Sequence, residues 1–219
     1  MNGNKIVAEA SKVREELRNN STIVTDEELL AEFLGGSERS FVALMKRYKE
    51  PILNFTYRFI GDYDEATDIA QKTFVRLYRF AHTFKGEVKF STWLYTIAAN
   101  LSRTELKKYR RRMGTSLQQE FGYDDEQAGY DIPDENYRPD ERVDADKIAV
   151  EVQKALMTVT PSYREMVVLR DIQHMSYEEI CEITNTELGT VKSRINRGRT
   201  QLKKKLAGLY DELFGTEDA

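Results

Sequence analysis

The sequence predicts an all-α fold in which two small helical domains are joined by a flexible acidic linker. Three observations carry that prediction. Apolar residues recur at spacings of three and four, the period of helices that bury one face. Residues 113–145 break the pattern with three Gly, Pro133, Pro139 and ten acids against two bases. Two segments, 107–112 and 189–205, are strongly basic and hold no Asp or Glu, although the whole chain carries a net charge of −4.

The 219 residues suit one large domain or two small ones. With 40% hydrophobic and 32% charged residues, the composition is that of a soluble, helical protein. No apolar run nears the roughly 18–20 residues that span a bilayer. The opening stretch MNGNKIVAEASKVREELRNN lacks a continuous apolar core and a small-residue cleavage site, so no signal peptide is expected. The lone Cys181 precludes an intrachain disulfide and fits a reducing cytoplasm. Two His and one Cys argue against a structural zinc site, so neither His82 nor His174 is assigned a chemical role and no cofactor is expected.

On these grounds the chain divides into an extension (1–24), a first domain (25–112), the linker (113–145), a second domain (146–212) and a tail (213–219). In the extension, Ile6, Val7, Ala10, Val13 and Leu17 fit an amphipathic helix that docks on the protein or a partner; a frayed tail fits equally. The first domain opens at TDEELLAEFLGG, where Thr25 and Glu28 make a capping box and Gly35-Gly36 ends the helix. Phe41, Leu44, Met45, Tyr48, Ile52 and Phe55 then form one apolar stripe. DYDEATDIAQKTFVRLYRFA, set between the breakers Gly61 and Gly86, turns Ala66, Ile69, Ala70, Thr73, Phe74 and Leu77 to one side. FSTWLYTIAANLSRTELKKYRRR starts at a Ser/Thr cap and offers Trp93, Leu94, Ile97, Ala98 and Leu101 as its apolar face. It ends in Lys107, Lys108, Arg110, Arg111 and Arg112; a helix dipole accounts for one or two such cations, not for five.

The second domain reads as four short helices. ADKIAVEVQKALMTV is amphipathic, and Pro161 opens PSYREMVVLRDI as a first-turn proline. In SYEEICEIT, Ser176 and Glu179 repeat the capping-box pattern. A short turn and GTVKSRINRGRTQLKKKL follow. Helix, tight turn and second helix make a helix-turn-helix, with Asn185 where a positive φ is wanted. Val191, Ile195, Leu202 and Leu206 should face inward, leaving Lys192, Ser193, Asn196, Arg197, Thr200 and Lys203 outward. Arg and Asn pair bidentately with guanine and adenine edges, and Lys and Ser reach phosphate or base. A basic run alone is more often a solvated face. Its place after a capped helix and a short turn favours DNA reading.

SYEEICEITNTELGTVKSRINRGRTQLKKKL closely resembles the carboxy-terminal promoter-reading domain of bacterial sigma factors. DEATDIAQKTFVRLYRFAHTF followed by FSTWLYTIAANLSR resembles their region two. Both in this order, with a short linker, resemble the extracytoplasmic-function (ECF) group. The resemblance covers about residues 38–112 and 146–207.

The resemblance implies a set of contacts. DIAQKTF matches the helix that meets the clamp of the polymerase largest subunit, with Asp68, Gln71, Lys72 and Arg76 as the contact residues. FKGEVKFSTWLYTIAAN matches the minus-ten region. There the loop from Lys85 to Lys89, with Phe84, Phe90, Ser91, Thr92 and Trp93, would hold an unstacked base of the non-template strand. Trp93 itself shares the register of Leu94, Ile97 and Leu101, which favours a core role. Asn100, Arg103, Lys107 and Arg110 would follow the DNA where melting starts, while Arg111 and Arg112 add phosphate affinity. In the second domain Thr190, Lys192, Ser193, Asn196 and Arg197 would read the minus-thirty-five element, and Arg194 and Arg199 would contact phosphates. Arg194 has an alternative, an ion pair with Glu178, Glu179 or Glu182. The acidic linker would avoid duplex DNA and pass through the RNA exit path as a nucleic-acid mimic.

Cys181 stands where the family usually has Ala, Thr186 replaces an aliphatic turn residue, and Glu105 stands for Asp. The implied partners are core RNA polymerase (the largest-subunit clamp and the flap of the second-largest subunit), promoter DNA and an anti-sigma factor. No small-molecule substrate and no membrane insertion are implied. Two other readings compete. A stand-alone helix-turn-helix regulator leaves the first domain unexplained. A nucleic-acid enzyme needs clustered carboxylates on a rigid frame, and the densest cluster, Asp124, Asp125, Glu126, Asp131 and Asp134, falls in the linker.

Overall fold

The structure, a computed structural model, describes residues 24–112 and 143–214, all helical or in short connections with no strand among them. The readings placed on residues 1–23, on most of the acidic linker and on residues 215–219 lie outside these. The described residues belong to two compact units, and the chain passes from one to the other after Leu44.

The first unit holds helix α1, Asp26–Leu34, and the start of α2, Glu38–Ile60. Thr25 caps α1 in a full capping box, its Oγ1 accepting from the Glu28 N–H at 3.2 Å and its own N–H donating to Glu28 at 2.7 Å. Three acids in the first turn complement the dipole, and Leu29 and Leu30 are buried. The chain turns at Gly35-Gly36, where Gly36 takes a positive φ of 103°. Ser40 then donates to Glu32, and the Phe33 and Phe41 rings sit 5.0 Å apart.

In the second unit, α2 continues through Pro51, which supplies no N–H to the helical ladder. Of the expected stripe, Leu44 in the first unit and Ile52 and Phe55 in the second are fully buried, while Phe41 in the first and Met45 and Tyr48 in the second are half-buried. Gly61 ends α2 with φ 91°, and its missing side chain makes room for Met157, whose Cε would lie 2.5 Å from a Cβ. Asp62 caps α3, Tyr63–Phe80, by accepting from the Glu65 N–H at 2.9 Å. The α3 stripe is buried as its spacing predicts: Ala66, Ile69, Ala70, Thr73, Phe74 and Leu77. Buried Thr56 of α2 donates to carbonyls on both helices, Ile52 at 3.0 Å and Ala66 at 3.1 Å.

A 3-10 turn, Ala81–Thr83, and a loop lead to α4, Phe90–Arg112. Two expectations for α4 need correction. Ser91 and Thr92 lie inside the first turn rather than capping it. The buried face is also broader: Phe90, Leu94, Tyr95, Ala98, Ala99 and Ser102 are buried, and Trp93, Ile97 and Leu101 are only half-buried. The cause is that α4 packs on two neighbours, α3 and the later helix α7.

Helix α5, Val143–Met157, begins within the segment read as linker. Its Gln153 donates to the Tyr57 carbonyl at 3.2 Å, and Arg58 donates to the Ala149 carbonyl and to Gln153, each at 3.2 Å. Helix α6, Pro161–Val167, starts at its proline and runs into a π turn, Val168–Ile172. Helix α7, Tyr177–Thr184, has the expected capping box, Ser176 with Glu179. It ends at Asn185 in the left-handed region, φ 49°, whose N–H donates to the Cys181 carbonyl. The last helix is not short: α8 runs from Leu188 to Phe214. Val191 and Ile195 are buried, whereas Leu202 and Leu206 are half-buried. Gly198 is buried where α8 presses on α6, so closely that a Cβ there would fall 2.6 Å from Val167 Cγ2.

Candidate nucleic-acid interface

Helix α8 presents two chemically distinct faces after the Asn185 turn. Thr190, Lys192, Ser193, Asn196, Arg197 and Arg199 are exposed, and Arg194 is half-buried. Several already have intramolecular partners. Lys192 Nζ stands 5.8 Å from the centre of the Tyr177 ring, against which Arg170 also lies at 4.8 Å. Arg197 donates to the Tyr163 hydroxyl at 3.2 Å. Arg199 forks onto both oxygens of Asp171, with Nε at 2.9 Å, a pairing that raises the affinity of its guanidinium for its proton. The charge of Arg194 acts on buried Glu165 rather than closing an ion pair with Glu178, Glu179 or Glu182. Sequence reading missed Arg170, Tyr177 and Asp171. Their partners lie one element away, so no local spacing reveals them.

On α4 and the loop before it the expected residues separate into buried and accessible sets. Phe90 and Thr92 are buried, at 0% and 2% exposure, so in this arrangement Phe90 offers no face to a base. Phe90 instead packs at 6.2 Å from each of Phe84 and Trp93, which are 5.5 Å apart and half-buried. This aromatic group anchors the loop that carries exposed Lys85 and Lys89, with Gly86 at φ 74° between them. Ser91 and Lys107 are half-buried and Asn100 is exposed; Arg110 lies on α4. Arg103 is largely covered, its Nε donating to Glu165 at 3.0 Å, Nη1 to Asn100 at 3.0 Å and Nη2 to the Ile183 carbonyl at 3.0 Å. Burial holds Glu165 above the usual carboxylate range, and Arg103 and Arg194 offset only part of it. Lys89 meets Glu179 at 2.9 Å. Burial of Glu179 works against its charge, but the Ser176 N–H and Lys89 outweigh it and the net shift is downward.

On α3, Asp68, Gln71, Lys72 and Arg76 are all exposed, with Lys72 paired to Asp68. The same side shows Val75 and Tyr78, 50% and 55% exposed, which sequence reading did not single out. Their signal is their position off the buried stripe, where an apolar residue has no core to fill. His82 and His174 are both exposed, in the 3-10 turn and in the connection before α7. Among the described residues, no group of His, Cys, Asp and Glu is placed to hold a metal ion, and no helix is long and apolar enough to cross a membrane.

The Sigma-70 region 2 family matches residues 44–112, and the Sigma-70 region 4 family matches residues 149–202. The chain is 34% identical over 181 residues to the ECF RNA polymerase sigma factor SigW of Bacillus subtilis, covering 80% of this chain and 92% of that one. It is 32% identical over 191 residues to the RNA polymerase sigma-H factor of Pseudomonas aeruginosa, covering 85% and 96%. Its fold matches that of CnrH, solved with the cytosolic domain of CnrY, with a TM-score of 0.62 at 23% identity over 84% of this chain and 97% of that one. It also matches the sigma factor RpoE of Bartonella quintana, solved with the anti-sigma factor NepR, with a TM-score of 0.58 at 21% identity over 77% and 98%. The chain therefore belongs to the ECF family of sigma factors, the subunits with which RNA polymerase starts transcription at promoters.

Proposed function

We propose that residues 25–112 engage core polymerase and the minus-ten DNA, and that residues 146–212 read the minus-thirty-five element. The observation that carries the reading is the division of α8, with Val191 and Ile195 buried and Thr190, Lys192, Ser193, Asn196 and Arg197 exposed beyond the Asn185 turn. An α-helix fills a major groove, and these side chains match base edges and phosphates. Arg194 and Arg199 serve phosphates, Arg199 by exchanging Asp171 for the backbone.

For the minus-ten DNA, Lys85 and Lys89 attract the strand, Trp93 and Phe84 offer partly open rings, and Asn100, Arg103, Lys107 and Arg110 follow the backbone. Phe90, Ser91 and Thr92 shape the loop from below. Asp68, Gln71, Lys72 and Arg76, joined by Val75 and Tyr78, form the surface for the polymerase clamp, and the second domain meets the flap. The complex of RpoE with the anti-sigma factor NepR supports an anti-sigma partner here too. The site of action is the cytoplasm, and no chemistry of the protein's own is required.

Run-off transcription tests this reading, with core polymerase, with and without the protein, on a pool of promoter fragments from the source genome. Specific transcripts that need the protein are expected, and Asn196→Ala with Arg197→Ala should abolish most of them. Tight duplex binding by the protein alone, with no transcripts, would replace the reading with a stand-alone regulator.

A further inference from the structure

Helix α8 carries positive charge well past its reading residues. Between Glu187 and Asp211 the chain has no acid, and Lys203, Lys204 and Lys205 are all exposed. The segment that matches the region 4 family stops at residue 202, just before them. They stand more than two turns before the end of α8 at Phe214, too far back for the helix dipole to account for them.

Helical register sorts the three. Seven residues make two turns to within about 20°. Lys203 therefore lies in line with Asn196, and Lys204 in line with Arg197, all on the exposed face. Lys205 lies in line with Gly198, which is buried against α6. The polar side chains between the reading residues and the lysines are already spent. Arg199 forks onto Asp171, Thr200 donates its hydroxyl to the Asn196 carbonyl at 2.9 Å, and Gln201 accepts from the Thr160 N–H at 3.0 Å. Lys203 and Lys204 are the next side chains on that face with charge to offer outward.

Distance sets what they can touch. A recognition helix contacts base edges with its N-terminal residues. An α-helix rises about 1.5 Å per residue, so the two lysines stand about 10 Å beyond Asn196 and Arg197 along the axis. The major groove is about 12 Å wide, and a helix seated at Asn196 has reached the flanking sugar-phosphate backbone by Lys203. An ammonium on a flexible stem suits a phosphate as a point charge, and such a contact carries no sequence information.

We infer that Lys203 and Lys204 clamp the phosphates beside the minus-thirty-five element, while Lys205 takes no part. The inference rests on the minus-thirty-five reading above and deepens it. The clamp adds affinity and salt dependence without adding sequence preference.

The test uses holoenzyme, the full chain with core polymerase, on a fluorescent duplex of a promoter recovered by run-off transcription. Binding is measured from about 50 to about 200 mM salt, and each phosphate neutralised adds about 0.9 to the slope of log affinity against log salt. Lys203→Gln and Lys204→Gln should each lower that slope by about 1, equally on matched and altered minus-thirty-five sequences. Together they should make the affinity lost over that range about tenfold smaller. Lys205→Gln removes the same charge from the same helix and should keep the parent's slope, as should Lys203→Arg with Lys204→Arg. An equal effect from Lys205→Gln would show a diffuse field and overturn the clamp. Weakened binding of the Lys203→Gln, Lys204→Gln double variant to core polymerase without DNA would also overturn it, assigning the lysines to polymerase. If Asn196→Ala abolishes preference for the matched sequence while the double variant keeps the parent's slope, the clamp fails and the minus-thirty-five reading stands. If Asn196→Ala leaves that preference intact, the reading fails and takes the clamp with it.

Discussion

Gly198 and Val167 are in such close contact that a methyl group added to the glycine would sit 2.6 Å from the valine Cγ2. The same methyl would meet the Tyr163 carbonyl oxygen at 3.2 Å. A glycine inside a helix ordinarily loses about 1 kcal/mol relative to alanine. Here overpacking of about 1–3 kcal/mol opposes that gain. Gly198→Ala is expected to lower the thermal midpoint by several degrees. Gly208→Ala, on the same helix with open space around it, should raise it slightly. Thermal circular dichroism on the pair checks both signs.

Asn185 carries the turn of the helix-turn-helix in a left-handed conformation, φ 49°. A side chain without a local hydrogen-bonding group costs about 1–2 kcal/mol there. Asn185→Ala should destabilise the protein by about 1 kcal/mol in urea unfolding, and Asn185→Gly should be neutral or stabilising.

The Glu165 carboxyl gives a pH dependence. Its folded-state value lies above the ordinary 4.5 because of burial, so folding binds its proton more tightly. The stability linked to that proton is present below about 4.5 and is lost as pH rises through the raised folded value. Glutamine does not titrate. The stability of Glu165→Gln relative to the parent should therefore increase as pH rises from 4.5 and then level off. A difference that is flat or falls with pH would contradict the burial argument.

Tyr78 and Val75 are exposed on the face of α3 proposed to meet the polymerase clamp. Tyrosine is a common anchor at interfaces, and its loss there costs 1–2 kcal/mol or more. Tyr78→Ala should weaken binding to core polymerase about tenfold in fluorescence titration, with little change in thermal midpoint.

On α8, Asn196→Ala or Arg197→Ala should each reduce transcript from a matched promoter by about 5–150-fold, the cost of one bidentate base contact. Asp171→Ala should have the opposite effect, because it frees Arg199 from its carboxylate. Gel-shift with holoenzyme separates these effects from folding.

Much of this was legible in the sequence. Helix caps depend on residues three apart, so Thr25 with Glu28 and Ser176 with Glu179 were readable directly. So was the α3 stripe, because that helix buries a single face. Helix α4 defeated the same method: α7 covers a second side, and Tyr95 and Ser102 are buried off the expected line. The exposed α8 residues could be read from Val191 and Ile195. The occupied state of Arg103 could not, since Glu165 and Ile183 lie 62 and 80 residues away. No periodicity reports a partner at that distance.

The burial of Glu165 beside Arg103 also sets how that pair responds to ionic strength. Mobile ions screen exposed charges over about 8–10 Å but reach a covered pair poorly. DNA contacts weaken steeply as salt rises, because binding releases counterions from the phosphates. Concentrated salt therefore weakens contacts of that kind more than it weakens the covered Arg103–Glu165 bond.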